Sequence, residues 1–163
     1  MEPIGRIYNK EGNQINTDFS ELLGKVLTKV VLDKDKRYIS FFTRDNREYM
    51  MYHGQDCCES VLIDDICGDL EDLVGSVILQ AEKSSNSGET SACDHYTWTF
   101  YRIATIKGQV VIKWYGSSNG YYSEDVDFAL IPLPGEEYVP ASPSKYIFPE
   151  GASGIPFVVT GLY

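Results

Sequence analysis

The chain has 163 residues, enough for one domain with a real core, and 43% of them are apolar, too many for a wholly disordered chain. Its 24 acidic residues against 14 Lys and Arg give a net charge of −10 and a pI near 4.6, which disfavours direct nucleic-acid binding, since that needs clustered basic residues. No apolar run approaches the roughly 20 residues of a membrane-spanning helix. Residues 1–6 also lack the basic start and apolar stretch of a signal peptide, so the sequence predicts a cytoplasmic protein with no membrane contact.

In chain order, residues 1–16 read as a small hairpin, with short apolar pieces around a break at Gly12-Asn13. Residues 17–24 suggest one helical turn, with Asp18 or Ser20 as its cap and Gly24 as its end. Three strands follow at 25–32, 37–43 and 47–53, joined by polar turns, as in an antiparallel meander. Ile66, Leu70, Leu73 and Val74 stand at helical spacing, so residues 64–74 are the best short-helix candidate, with Gly68 as its weak point. A second meander reads at 76–82, 96–105 and 109–115, with a long polar loop over residues 83–94.

The second set repeats the first. Each has an acidic and apolar turn closing in glycine, three strands, a Gly-containing polar loop, and a return segment at 61–63 or 126–128. This order suggests a duplication, with repeats at about 17–63 and 69–128. The predicted fold class is mainly β (α+β): an antiparallel sheet of two three-stranded meanders with one or two short helices, in a single domain spanning residues 1–130. Residues 131–163 hold six prolines among many apolar and aromatic residues. They read as an extended Pro-rich arm that packs on its own domain or on a partner.

Two loops carry the candidate chemistry. His53-Gly54-Gln55-Asp56-Cys57-Cys58-Glu59 brings two thiols, an imidazole and two carboxylates together. A cysteine nucleophile needs such a base, so Cys57, Cys58 and His53 are the only catalytic candidates. The plainer expectation is a structural loop, with the cysteines as reduced thiols and Cys57 and Cys58 unpaired with one another. His53, Cys57, Cys58, Cys67, Cys93 and His95 are possible metal ligands, but zinc spacing is lacking, and no metal or other cofactor is expected. The second loop runs from Trp114 to Glu124. Its Tyr, Ser, Gly and Asn residues resemble the composition of binding loops, and read equally as a turn whose aromatics fold onto the sheet.

Acidic residues are unevenly spread. Between Glu48 and Glu82 there are nine and no Lys or Arg, an acidic face that serves solubility, the plainer reading, or meets a protein partner with a basic surface. The binding candidates are therefore Asp56, Glu59, Asp64, Asp65, Trp114, Tyr115, Asn119, Tyr121, Tyr122 and Glu124, with the two loops forming one composite surface.

The segments at 52–61 (Tyr52-His53-Gly54-Gln55-Asp56-Cys57-Cys58-Glu59-Ser60-Val61), 68–75 and 114–123 (Trp114-Tyr115-Gly116-Ser117-Ser118-Asn119-Gly120-Tyr121-Tyr122-Ser123) carry a further clue. Over about residues 22–128 the chain resembles a family of uncharacterised domains from bacteriophage and bacterial hypothetical proteins. The resemblance implies a phage or prophage setting and transfers no catalytic role. The expectation is a non-catalytic, phage-associated protein-binding module, with inhibition of a host defence or nucleic-acid-processing protein as its sharpest form. The alternatives are a cysteine-dependent enzyme using Cys57 or Cys58 with His53, and a virion component.

Overall fold

The computed structural model describes residues 4–9, 11–90 and 94–133, and the backbone of residues 138–140 and 157–160. Eleven strands are named in these segments: β1 (Ile7–Asn9), β2 (Leu27–Leu32), β3 (Tyr38–Thr43), β4 (Glu48–Tyr52), β5 (Ser60–Cys67), β6 (Gln80–Glu89), β7 (His95–Thr105), β8 (Gly108–Ser118), β9 (Asp127–Leu130), β10 (Tyr138–Pro140) and β11 (Phe157–Thr160). The first sheet has the order β11-β2-β3-β4-β9 and the second β5-β8-β7-β6, while β1 pairs with β10. Every paired ladder is antiparallel. The fold is thus mainly β, built on the two meanders β2-β3-β4 and β6-β7-β8.

The meanders exchange their return strands. β5 follows the first meander but pairs with β8 of the second. β9 follows the second meander and pairs with β4 of the first. Each sheet is therefore completed by chain from the other half.

The core lies between the sheets. Phe41, Met51 and Val30 from the first sheet meet Tyr101, Ile112 and Trp114 from the second in one buried cluster. Trp114 is fully buried, and its indole N–H donates to Met51 Sδ at 3.0 Å. Tyr49 stacks on Phe128 at 5.6 Å, and Phe19 meets Tyr101 edge-on at 4.7 Å, both favoured aromatic geometries.

The two sheets differ in cover. A smaller cluster of Ile4, Ile7, Tyr38, Met50, Tyr52, Ala129 and Ile131 closes the far face of the first sheet. This explains why β3 and β4 are buried almost without a break. In β7 and β8, by contrast, buried and half-exposed residues alternate, the pattern of a sheet with one open face. Among the described residues, nothing packs as a layer on that outer face.

Several expectations are corrected. Residues 64–74 form no α-helix: 64–67 belong to β5, and only Leu70–Leu73 turn, as a 3-10 helix. Gly68, at φ +111°, separates the two. Pairing of β5 with β8 outweighs the helical spacing of the apolar residues. The other helical turn, Phe19–Leu22, is also 3-10. Asp18 and Asp69 cap the two turns alike, accepting at 2.9 Å from Ser20 N–H and Glu71 N–H. The expected loop at 83–94 is strand as far as Glu89, held by a continuous ladder to β7. Within residues 1–16, Ile7 and Ile15 are linked by a backbone hydrogen bond of 2.8 Å, closing a tight loop around Gly12. In the Pro-rich arm, β10 and β11 pair with β1 and β2 of the same chain. The rest of the arm lies outside the described residues.

Candidate functional site

The loop after β4 is built around Glu59, whose side chain is fully buried. Glu59 Oε1 accepts from Cys57 N–H at 2.8 Å and Gln55 Nε2 at 3.1 Å. Oε2 accepts from Asp56 N–H and from His53 Nε2, both at 2.9 Å. All four acceptor positions of the carboxylate are thus used. Burial opposes ionisation, but the N–H groups of Cys57 and Asp56 and the His53 contact outweigh it, so the carboxyl is held below its ordinary range. His53 Nδ1 meets the Asp125 carbonyl at 2.6 Å, so both ring nitrogens are engaged.

Asp56 faces Arg6 in a two-pronged ion pair, with Nη2 to Oδ2 at 2.9 Å. The hydrogen bond to Asp56 is the chief cause of the raised Arg6 pKa. Cys57 and Cys58 are joined by a disulfide across adjacent residues, and both are exposed. The expectation of unpaired thiols is corrected here. These residues lie in a bend whose backbone Glu59 gathers inward. Neither sulfur is partnered with His53. Cys67 is free and exposed, and Cys93 lies outside the described residues.

The loop after β8 is the counterpart of the first. Glu124 stands two residues before buried Val126, as Glu59 stands two before buried Val61. It too is buried, at 9% exposure. Among the described residues, its carboxylate takes two hydrogen bonds, from Thr97 Oγ1 at 2.7 Å and Ser118 Oγ at 2.5 Å. The loops touch through the His53–Asp125 contact, so the structure brings them together at one end of the molecule.

The remaining candidates separate. Trp114 belongs to the core rather than to any contact surface, because β8 alternates and its even-numbered residues point inward. Tyr115 is on the outer face of the second sheet. Asp64 and Asp65 are exposed on β5 at a bulge opposite β8. Asn119 Oδ1 accepts Tyr121 N–H at 3.0 Å, and Tyr121, 83% exposed, packs edge-on against Tyr122.

Sequence reasoning missed an aromatic band on that outer face. Tyr96, Trp98 and Phe100 of β7 point outward beside Tyr115 of β8, and Leu62 of β5 is level with Tyr115. Trp98 lies 4.6 Å from Tyr115 and 6.3 Å from Phe100, centroid to centroid. The alternation in β7 was the available signal. Ser84, Asn86 and Gly88 of β6 are level with these rings, and Asp65 and Lys113 face each other nearby.

Among the described residues, no group of three or more His, Cys, Asp or Glu side chains is placed to hold a metal ion. No helix in these segments is long and apolar enough to cross a membrane.

These features define a two-sheet antiparallel domain with exchanged return strands, one open aromatic face, and two loops each centred on a buried glutamate. The chain belongs to the family described as Domain of unknown function (DUF7448), whose model matches residues 20–128. No curated protein and no solved structure matches the chain.

Proposed function

We propose that this chain is a non-catalytic protein-binding module that docks a basic protein surface on the outer face of its second sheet. The supporting observation is the band of Tyr96, Trp98, Phe100, Tyr115 and Leu62 on the one sheet face that no other layer covers among the described residues. Aromatic rings interleaved with Ser, Asn and Gly offer rigid contact area beside adaptable hydrogen bonds. The net charge of −10, with exposed Asp64, Asp65 and Glu82 fringing the band, favours a basic partner and speeds its encounter. In the phage setting that the sequence resemblance implies, such a module fits an inhibitor of a host defence or nucleic-acid-processing protein. The cysteine-enzyme alternative gains no support: His53 is held by Glu59 and a carbonyl, and both thiols of its loop are oxidised.

The test is affinity capture from bacterial lysate at low and high salt, with three baits. These are the unmodified chain, a Trp98→Ala/Tyr115→Ala variant and an Asp64→Lys/Asp65→Lys variant. The expected result is a stoichiometric basic protein that salt releases and that both variants lose. Equal retention by all three baits, or an empty capture, would sink the proposal.

A further inference from the structure

At the end of the second sheet lies a cavity of about 360 Å³, lined in part by Ser87, His95, Thr97, Ser118, Tyr122 and Glu124. Gly120 admits one wall. It stands at φ +92°, and a Cβ there would fall 2.5 Å from His95 Cδ2, so the His95 ring occupies space that any other residue would fill.

The hydrogen-bond directions in this cavity are determined. The Glu124 carboxylate only accepts, so Thr97 and Ser118 must each donate their hydroxyl hydrogen to it. Thr97 then has no hydrogen left for Ser87 Oγ, 2.9 Å away, and Ser87 must donate to Thr97. Ser118 Oγ also accepts Gly120 N–H at 3.0 Å. Every hydroxyl hydrogen in this chain therefore points along it towards Glu124. What these four side chains leave for an occupant is lone pairs: two unused acceptor positions on Glu124, and one or more on Ser87. A second carboxylate, Glu89, stands at the rim, 3.6 Å from His95 Nε2.

The matching loop supplies an internal control. Glu59 is satisfied within the chain, with four donors that include a histidine. Glu124 is buried somewhat less completely, has half as many donors among the described residues, and lines a cavity instead. Among the described residues, no Lys or Arg forms an ion pair with it.

We infer that this cavity binds an organic cation, a guanidinium or primary ammonium group, with Glu124 as its counter-charge and the Ser87 hydroxyl as a further acceptor. Such a group is all donor, the complement of the lone pairs left on Glu124 and Ser87, while His95, Tyr96 and Tyr122 in the same lining carry N–H and O–H groups of their own. The source is either a free amine or a Lys or Arg side chain of a protein. The inference goes beyond the docking proposal and does not depend on it, because it uses neither Trp98 nor Tyr115.

The experiment is calorimetric titration of the full chain with agmatine, with a capped Gly-Arg-Gly peptide, and with the same peptide carrying neutral citrulline in place of arginine. Saturable one-site binding of agmatine or the arginine peptide is expected, weakened about tenfold or more by Glu124→Gln. Agmatine without the peptide assigns a free amine, and peptide binding assigns a protein side chain. Ser87→Ala provides a milder variant, expected to weaken binding less, should Glu124→Gln lose its circular dichroism spectrum. No binding of either cationic probe, equal binding of the citrulline peptide, or affinity unchanged in a folded Glu124→Gln variant overturns the inference.

Discussion

Glu59 ties His53, Gln55, Asp56 and Cys57 to one buried carboxylate. Its folded pKa lies below the unfolded one, so its stabilisation is full above about pH 4.3 and is lost as pH falls through the folded value. Glu59→Gln keeps one acceptor oxygen and sets an amide NH₂ against donors. The expected cost is about 2–4 kcal/mol at pH 7, with a flatter acid limb than the parent, read by urea denaturation between pH 3 and 8. The neighbouring cysteines give a second prediction. Without reductant, iodoacetamide is expected to modify exposed Cys67 and to spare Cys57 and Cys58, as peptide mass mapping would show. Modification of all three would mean that the disulfide is absent. The residue types of this loop were legible in the sequence, but their roles were not. Cys57, Cys58 and His53 suggested chemistry, whereas burial makes Glu59 the centre, and burial is set by how β4 and β5 depart into different sheets.

Among the elements, the strands of both meanders were readable because β-branched and aromatic residues lie between polar turns. The errors fell where long-range pairing overrode local pattern. Ser84, Ser85, Asn86 and Ser87 have little strand preference, yet β7 holds them in register. The apolar spacing at Ile66, Leu70 and Leu73 is helical, yet β8 claims Ile66 and the turn at Gly68 leaves only a 3-10 segment. That turn is testable. A Cβ at Gly68 would lie 2.5 Å from the Gln109 carbonyl oxygen, at a φ that L side chains resist. Gly68→Ala is expected to destabilise by about 1–3 kcal/mol, measured as a lowered melting temperature. An unchanged melt would show that the end of β5 does not need this conformation. The cation cavity could not be read from the sequence, because Ser87, Thr97 and the Ser118–Glu124 loop come from three separate places and converge only when β6, β7 and β8 align.

For the molecule as a whole, the return strands decide cooperativity. With β5 in the second sheet and β9 in the first, neither meander has a complete sheet without the other half. The shared core, with Trp114 against Met51, ties them further. Unfolding is therefore expected to be a single transition. Trp98→Phe leaves Trp114 as the sole tryptophan, a core probe. Its fluorescence and far-ultraviolet circular dichroism should give one coincident denaturant midpoint. Separate midpoints would mean that the two sheets melt independently.

The same exchange has a cost during synthesis. On the ribosome, β4 emerges long before β9, the strand that will flank it. Until residue 130 clears the exit tunnel, the edge at Tyr49, Met50, Met51 and Tyr52 is a bare apolar template, the kind that recruits other nascent chains. Slower translation lengthens that window, and a chain cut short within the second half never closes it.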